Sequence, residues 1–178
     1  MNSLWLAMPI APIESLQEIY ERPGFILKRM HQVAMALFLE ECKRFGITPS
    51  QYQALCAIHE YPGIAQSALG RLIGQDRSTI GLVVKLLLDR GLIRTTVNLS
   101  DRRSVSLTLE DAGKQMLRRV APAARRAQHK LLAPLSKKKR DLFLTLLTAL
   151  LDAHGARIDP AKAGPETHAE RATRGTSS

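Results

Sequence analysis

Two short polar clusters hold the side chains best suited to chemistry: Asp76-Arg77-Ser78-Thr79 ahead of an apolar stripe, and Asp101-Arg102-Arg103 between two β-branched runs. Neither is built to make or break bonds. Guanidinium, ammonium and hydroxyl groups of this kind meet phosphate oxygens and base edges through charge and hydrogen bonds. A third residue of interest is His31, which shares a helical line with Leu27, Ala34 and Phe38. An imidazole on an apolar face either packs at an interface or lines a pocket, where it can hold a carboxylate or a ring nitrogen. Phe25, Arg29, Phe38 and Tyr52 are the neighbours expected to line such a pocket with it.

Signatures of catalysis are missing from the sequence. There is no Gly-x-Gly-x-x-Gly, phosphate loop, Gly-x-Ser-x-Gly or Cys-x-x-Cys, and His59-Glu60 runs into Tyr61-Pro62, which breaks the helix before a second metal ligand. The five histidines do not cluster at ligand spacing, so no enzyme activity, metal or cofactor is expected. Cys42 and Cys56 make no disulfide framework. They read as small buried apolar residues. The alternative is a redox sensor, which needs an exposed thiol of lowered pKa, and neither cysteine sits at a helix start.

The elements that must position these clusters can be read from period and punctuation. Pro23 opens a helix to about Phe45, ended by Gly46. Thr48-Pro49-Ser50-Gln51 spells a capping box with Pro in the first helical position, starting a helix to about Glu60. A short helix over residues 66–73 breaks at Gly74. Asp76 caps the next, which runs to Arg90 and stops at Gly91. Its inner stripe is Ile80, Val83, Val84, Leu87 and Leu88; Arg77, Ser78, Gly81, Leu82 and Lys85 fall on the other side. A helix about 10–12 Å across fits the major groove, about 12 Å wide. Backbone N–H groups around Arg77, Ser78 and Thr79 would also favour a phosphate, and Gly81 would let the helix sit deep.

Residues 92–97 and 104–109 then read as the strands of a hairpin, with 98–103 as its charged link. Arg102 and Arg103 at the tip can reach a minor groove, with Asp101 orienting a guanidinium. Thr108 is expected to cap a helix that continues past Leu132 with a kink at Pro122, and Ser136 a final helix with a broad apolar face. Such a face exceeds what a lone surface helix needs and implies a second subunit.

Composition agrees with this picture. The 178 residues are 45% hydrophobic, enough for a core and too many for a disordered chain, and carry a net charge of +10. The excess favours a polyanionic partner, nucleic acid ahead of membrane. Ten Lys/Arg and no Asp/Glu lie within residues 114–140, which reads as a solvated surface or as a footprint on flanking phosphates. The longest nearly apolar stretch, residues 142–151, falls short of the roughly 20 residues that cross a bilayer. With no secretory signal, a cytoplasmic protein is expected. Residues 1–22 form an apolar arm expected to pack on a partner subunit, and 154–178 a tail expected to be disordered. The sum is a mainly α fold with a small β-hairpin wing: a winged helix-turn-helix over about 48–109, with dimerisation helices at about 23–45 and 109–153. A nonspecific nucleic-acid binder explains the charge but not the capped helix and hairpin.

Residues 92–108 followed by Glu110-Asp111-Ala112-Gly113 resemble the wing and next helix start of MarR-family transcription regulators. Residues 46–52, Asp76-Arg77-Ser78-Thr79 and Asp89-Arg90-Gly91-Leu92 are similar to that family as well. Gly70 departs from it, standing where Ala is usual. The resemblance covers about 23–151. It implies an intertwined homodimer on a palindromic operator, usually a repressor, released by a small molecule or oxidant. It places Arg103 as the arginine entering the minor groove and Asp101 as the acid steadying it. Residues 23–32 and 36–38 resemble members that control aromatic-acid breakdown, which implies a small aromatic carboxylate as effector.

Overall fold

Pro23 pre-sets the backbone for helix α2 (Pro23–Cys42), which follows the short α1 (Leu16–Glu21) and tightens into a 3₁₀ turn at Lys43–Phe45. The left-handed Gly46 (φ +57°) ends it, a conformation that glycine adopts without steric cost. Thr48 Oγ1 accepts from Gln51 N, and Gln51 Oε1 from Thr48 N, so both orphan donors at the start of α3 (Pro49–Glu60) are satisfied. This reciprocal pair also explains how polar Gln51 can be buried. Then come β1 (Ile64–Ala65), α4 (Gln66–Leu72), α5 (Arg77–Asp89), β2 (Ile93–Asn98), β3 (Asp101–Leu109), α6 (Asp111–Leu132) and α7 (Lys137–Ala153). The computed structural model describes residues 16–98 and 101–156, and over 97–105 no side chains. Of the amino-terminal arm only α1 falls inside this range; Trp5 and the tail from 157 lie outside it.

The sheet is antiparallel in the order β1-β3-β2. Ile93 opposes Leu109 and Thr95 opposes Leu107, while Ile64 pairs with Leu107 from the other side. Leu107 is thus held between two strands, and it is fully buried. β1 has no counterpart in the sequence reading, because two residues are too few to show alternation.

Several boundaries differ from the sequence expectation. β3 begins at Asp101, so Asp101-Arg102-Arg103 belong to strand backbone rather than to the link. Thr108 is not a helix cap: it lies in β3 opposite Arg94, and its hydroxyl accepts from Arg94 Nε at 3.1 Å. Pairing of the ladder has claimed the residue before the helix could, and Glu110 takes the cap position with no side-chain cap bond. Ser136 occupies the cap position of α7 without capping it; Arg140 Nε instead donates to Leu135 O at 2.7 Å. α6 runs through Pro122 and stops at Leu132 instead of continuing past it.

The core gathers Leu55 and Ile58 of α3, Leu69 of α4, Leu87 of α5, Leu107 of β3 and Val120 of α6. On α6, Val120, Ala123, Ala124 and Ala127 repeat at helical spacing, and these small side chains let α2 lie close. Gly113 marks a closer approach. A Cβ there would collide with Leu92 O, so only glycine fits where α6 crosses the base of the wing. An alanine at Gly70 would press on Gln75 O at 3.2 Å and Ile80 at 3.3 Å, so those neighbours would have to give by a few tenths of an ångström. By contrast α7 buries none of its residues against its own chain.

Candidate nucleic-acid interface and the adjoining cavity

Helix α5 stands on Ile80, Val83, Val84 and Leu87, all buried, with Leu88 half-buried beside them. Its other side is open: Arg77, Ser78 and Lys85 are exposed and Leu82 is 58% exposed. Thr79 and Gly81 are half-buried. The bare side of Gly81 faces Gln66 of α4, whose amide nitrogen would lie 3.6 Å from an added Cβ. That is ordinary van der Waals contact, so a methyl at this position would fit. Lys85 Nζ lies 3.1 Å from Asp89 Oδ2, a solvent-exposed pair of little stabilising weight.

The amino end of α5 is closed by Asp76. Its Oδ1 accepts from Ser78 N at 2.9 Å, Thr79 N at 2.9 Å and Ser78 Oγ at 2.6 Å, and its Oδ2 accepts from Thr79 Oγ1 at 2.7 Å. These bonds, the Ser78 hydroxyl first, hold the carboxyl well below the usual carboxylate range. The expected phosphate cradle at Ser78 and Thr79 is corrected accordingly: the two N–H donors are already spent on an internal anion.

Beside α5 stand the wing strands. Arg94 on β2 donates to Thr108 Oγ1 and lies 3.7 Å from Glu110 Oε1. The side chains of Asp101, Arg102 and Arg103 lie outside the described residues; their backbone opens β3, with Asp101 opposite Asn98. At the far end of α5, Arg90 Nη1 donates to Gly46 O at 2.7 Å and Nη2 to Phe45 O at 3.1 Å. A cation is thereby set on the free carbonyls closing the α2 segment, where the helix dipole favours it.

Between α2, α3 and α6 lies a cavity of about 300 Å³, lined by His31, Ala34, Met35, Phe38, Pro49, Tyr52, Gln53, Ala124, Arg125 and Gln128. It brings together His31, Phe38 and Tyr52, with the rings of Phe38 and Tyr52 centred 5.8 Å apart. Phe25 and Arg29 are not among the lining residues. At about 100° per residue they point some 120° and 160° away from His31 around α2; Phe25 stacks on Tyr20, and Arg29 Nη1 donates to Gln32 Oε1. Arg125, Gln53 and Gln128 went unnoticed in the sequence. Arg125 lies in the basic run, and only the packing of α6 across α2 shows that it faces the cavity. Burial, and then Cys56, push the Tyr52 hydroxyl up to about 12, so it stays a neutral phenol.

Burial also raises both thiols, Cys42 and Cys56. This is opposite to the thiolate character a redox sensor needs. Much of the basic run has internal work. Arg126 Nε lies 2.9 Å and Lys130 Nζ 2.7 Å from the carboxylate of Glu41, which is held below its ordinary range by hydrogen bonds from Lys130 and then Arg126. Lys137, Lys138 and Lys139 are separated from the wing base by the 22 residues of α6, roughly 33 Å of helix. Among the described residues no helix is long and apolar enough to cross a membrane.

A capped outer-facing helix, a short helix packed behind it and a flanking antiparallel hairpin define a winged helix-turn-helix protein. The MarR family model matches residues 47–105, which span α3 to β3. A putative transcriptional regulatory protein for the hcr operon of Thauera aromatica is 35% identical over 128 residues, 71% of this chain and 77% of that one. Among solved structures, the repressor CouR bound to a 23-mer DNA duplex is 30% identical, covers 76% of this chain and 96% of its own, and superposes with a TM-score of 0.70. The regulator PcaV from Streptomyces coelicolor, in complex with its natural ligand, is 29% identical, covers 83% and 99%, and has a TM-score of 0.68. The chain belongs to the MarR family and is a transcriptional regulator.

Proposed function

We propose that this protein is a homodimeric, sequence-specific repressor that binds an inverted-repeat operator and is released by a small aromatic acid. The observation that carries the DNA-reading part is α5, with an apolar side buried in its own domain and Arg77, Ser78, Leu82 and Lys85 left outward beside the wing. Arg and Lys supply charge, Ser a base-edge contact, and Leu82 an apolar surface for a thymine methyl. Arg102 and Arg103 reach the minor groove from the wing, with Asp101 orienting the arginine. CouR, captured on a DNA duplex, supports this reading by its likeness.

A second copy supports itself on exposed apolar surface. Leu142, Leu146 and Leu150 on α7 and Ile26, Leu27, Met30 and Val33 on α2 are all exposed in the single chain, more than a soluble monomer leaves uncovered. Two-fold symmetry then sets the reading helices about 34 Å apart, one duplex turn. The effector reading rests on the cavity. It offers an apolar floor of Met35 and Phe38, a cation in Arg125 for a carboxylate, and His31, Tyr52 and Gln128 for ring substituents. PcaV, solved with a bound ligand, supports a small-molecule site by its likeness.

Selection from a random duplex library is the test. The expected product is an inverted repeat with half-sites one turn apart, bound by one dimer and still preferred when salt has removed nonspecific binding. A library that returns no motif, with binding lost uniformly as salt rises, identifies a nonspecific binder instead.

A further inference from the structure

The polarity of the hydroxyls at the start of α5 is fixed by Asp76. A carboxylate carries only lone pairs, so contacts of 2.6 Å to Ser78 Oγ and 2.7 Å to Thr79 Oγ1 require both hydroxyls to donate toward it. Each then has lone pairs left and no hydrogen. Ser78 is exposed and shares the outward stripe with Leu82 and Lys85, at i, i+4 and i+7. Phosphate oxygens, guanine O6 and N7, and thymine O4 are all acceptors, and a hydroxyl stripped of its hydrogen repels them. The hydrogen-bond donors of the major-groove floor are the exocyclic amino groups, adenine N6 and cytosine N4.

Resting on the DNA-reading function above, we propose that Ser78 is a base-reading acceptor: it takes a hydrogen bond from an exocyclic amino group of the operator and makes no phosphate contact. The N–H groups of Ser78 and Thr79 are also committed to Asp76, so the first turn of α5 offers an incoming duplex no neutral donor at these two residues. Charge-based phosphate contact is left to Arg77, Lys85 and the wing arginines. The carboxylate itself repels phosphate, which disfavours a phosphate against the Ser78 hydroxyl and leaves that hydroxyl for the bases.

The test removes single atoms from the DNA. The selected operator is bound by the wild-type protein, Ser78→Ala and Ser78→Thr, after thermal melting has shown all three folded. One position per half-site should lose its base preference in Ser78→Ala and keep it in Ser78→Thr. There, replacing adenine by purine, or cytosine by 2-pyrimidinone, deletes the amino group alone. This should cost the wild type about tenfold in affinity and Ser78→Ala nothing. The proposal is overturned if the wild type binds the amino-deleted duplex undiminished, or if Ser78→Ala weakens every duplex by one common factor, as a phosphate contact would. It is also overturned if a 7-deaza purine, which lacks an acceptor, is the change Ser78→Ala renders harmless. A wild type that selects no motif overturns the DNA-reading function itself, which separates the two failures.

Discussion

Asp76 caps α5 and, in the proposed reading, sets the polarity of the Ser78 hydroxyl. Its carboxyl is held below the ordinary range in the folded state, so its share of stability is complete above the unfolded value of about 4 and is lost as pH falls further. In urea melts, Asp76→Ala should therefore be less stable than wild type by a constant margin from pH 5 to 8. The margin should narrow below pH 4. Asp76→Asn keeps an acceptor and should lose less at neutral pH. Arg125 and Arg103 separate the two functions. Arg125→Ala should bind operator normally yet resist release by 4-hydroxybenzoate in fluorescence anisotropy, and His31→Ala should respond more weakly than wild type. Arg103→Ala should lose operator affinity markedly as an intact dimer by sedimentation; unchanged binding would remove the wing from the interface. The Asp76 cap was legible because an N-cap bonds within its own turn. Arg125 was not, since the wall it joins exists only once α6 crosses α2, and Arg29 failed because helical phase, not proximity in sequence, decides which side chain faces inward.

At the level of elements, the crossing of α6 over the wing base hangs on Gly113. Gly113→Ala forces a methyl against Leu92 O and should destabilise by about 1–3 kcal/mol or more, read as a lowered thermal midpoint. Because Leu92 O also accepts from Glu110 N at 3.1 Å, the same change should loosen the hairpin and weaken DNA binding beyond its effect on stability. The helices were largely readable: Pro23, Thr48-Pro49 and Asp76 start them by local chemistry, and the stripe of α5 has a clear period. The sheet was less so. β1 is two residues long, and the early start of β3 depends on pairing with β2 across a shifted register between Val97 and Asn98. Thr108 was misread for the same reason, as a local cap signal yields to a ladder formed with residues far away in sequence.

At the scale of the whole molecule, α7 is a helix without a home in its own chain. Leu146 is 56% exposed there, and charging such a residue in a monomer would be nearly neutral. In the proposed dimer, Leu146→Lys should split the assembly in sedimentation and abolish cooperative binding to an inverted repeat. The wild type should also melt higher as its concentration rises. The apolar stripe was plain in the sequence, but which surface of a partner covers it was not, because single-chain periodicity records how much is hidden and not by what. Arg90 ties these scales together. Its guanidinium grips the carbonyls of Phe45 and Gly46, at the very joint where one wall of the cavity passes into the other. The reading helix is thus anchored at the fulcrum. In the proposed regulator, an effector that parts α2 from α3 would shift α5 through this contact, and Arg90→Ala should leave effector binding intact while removing its effect on DNA binding.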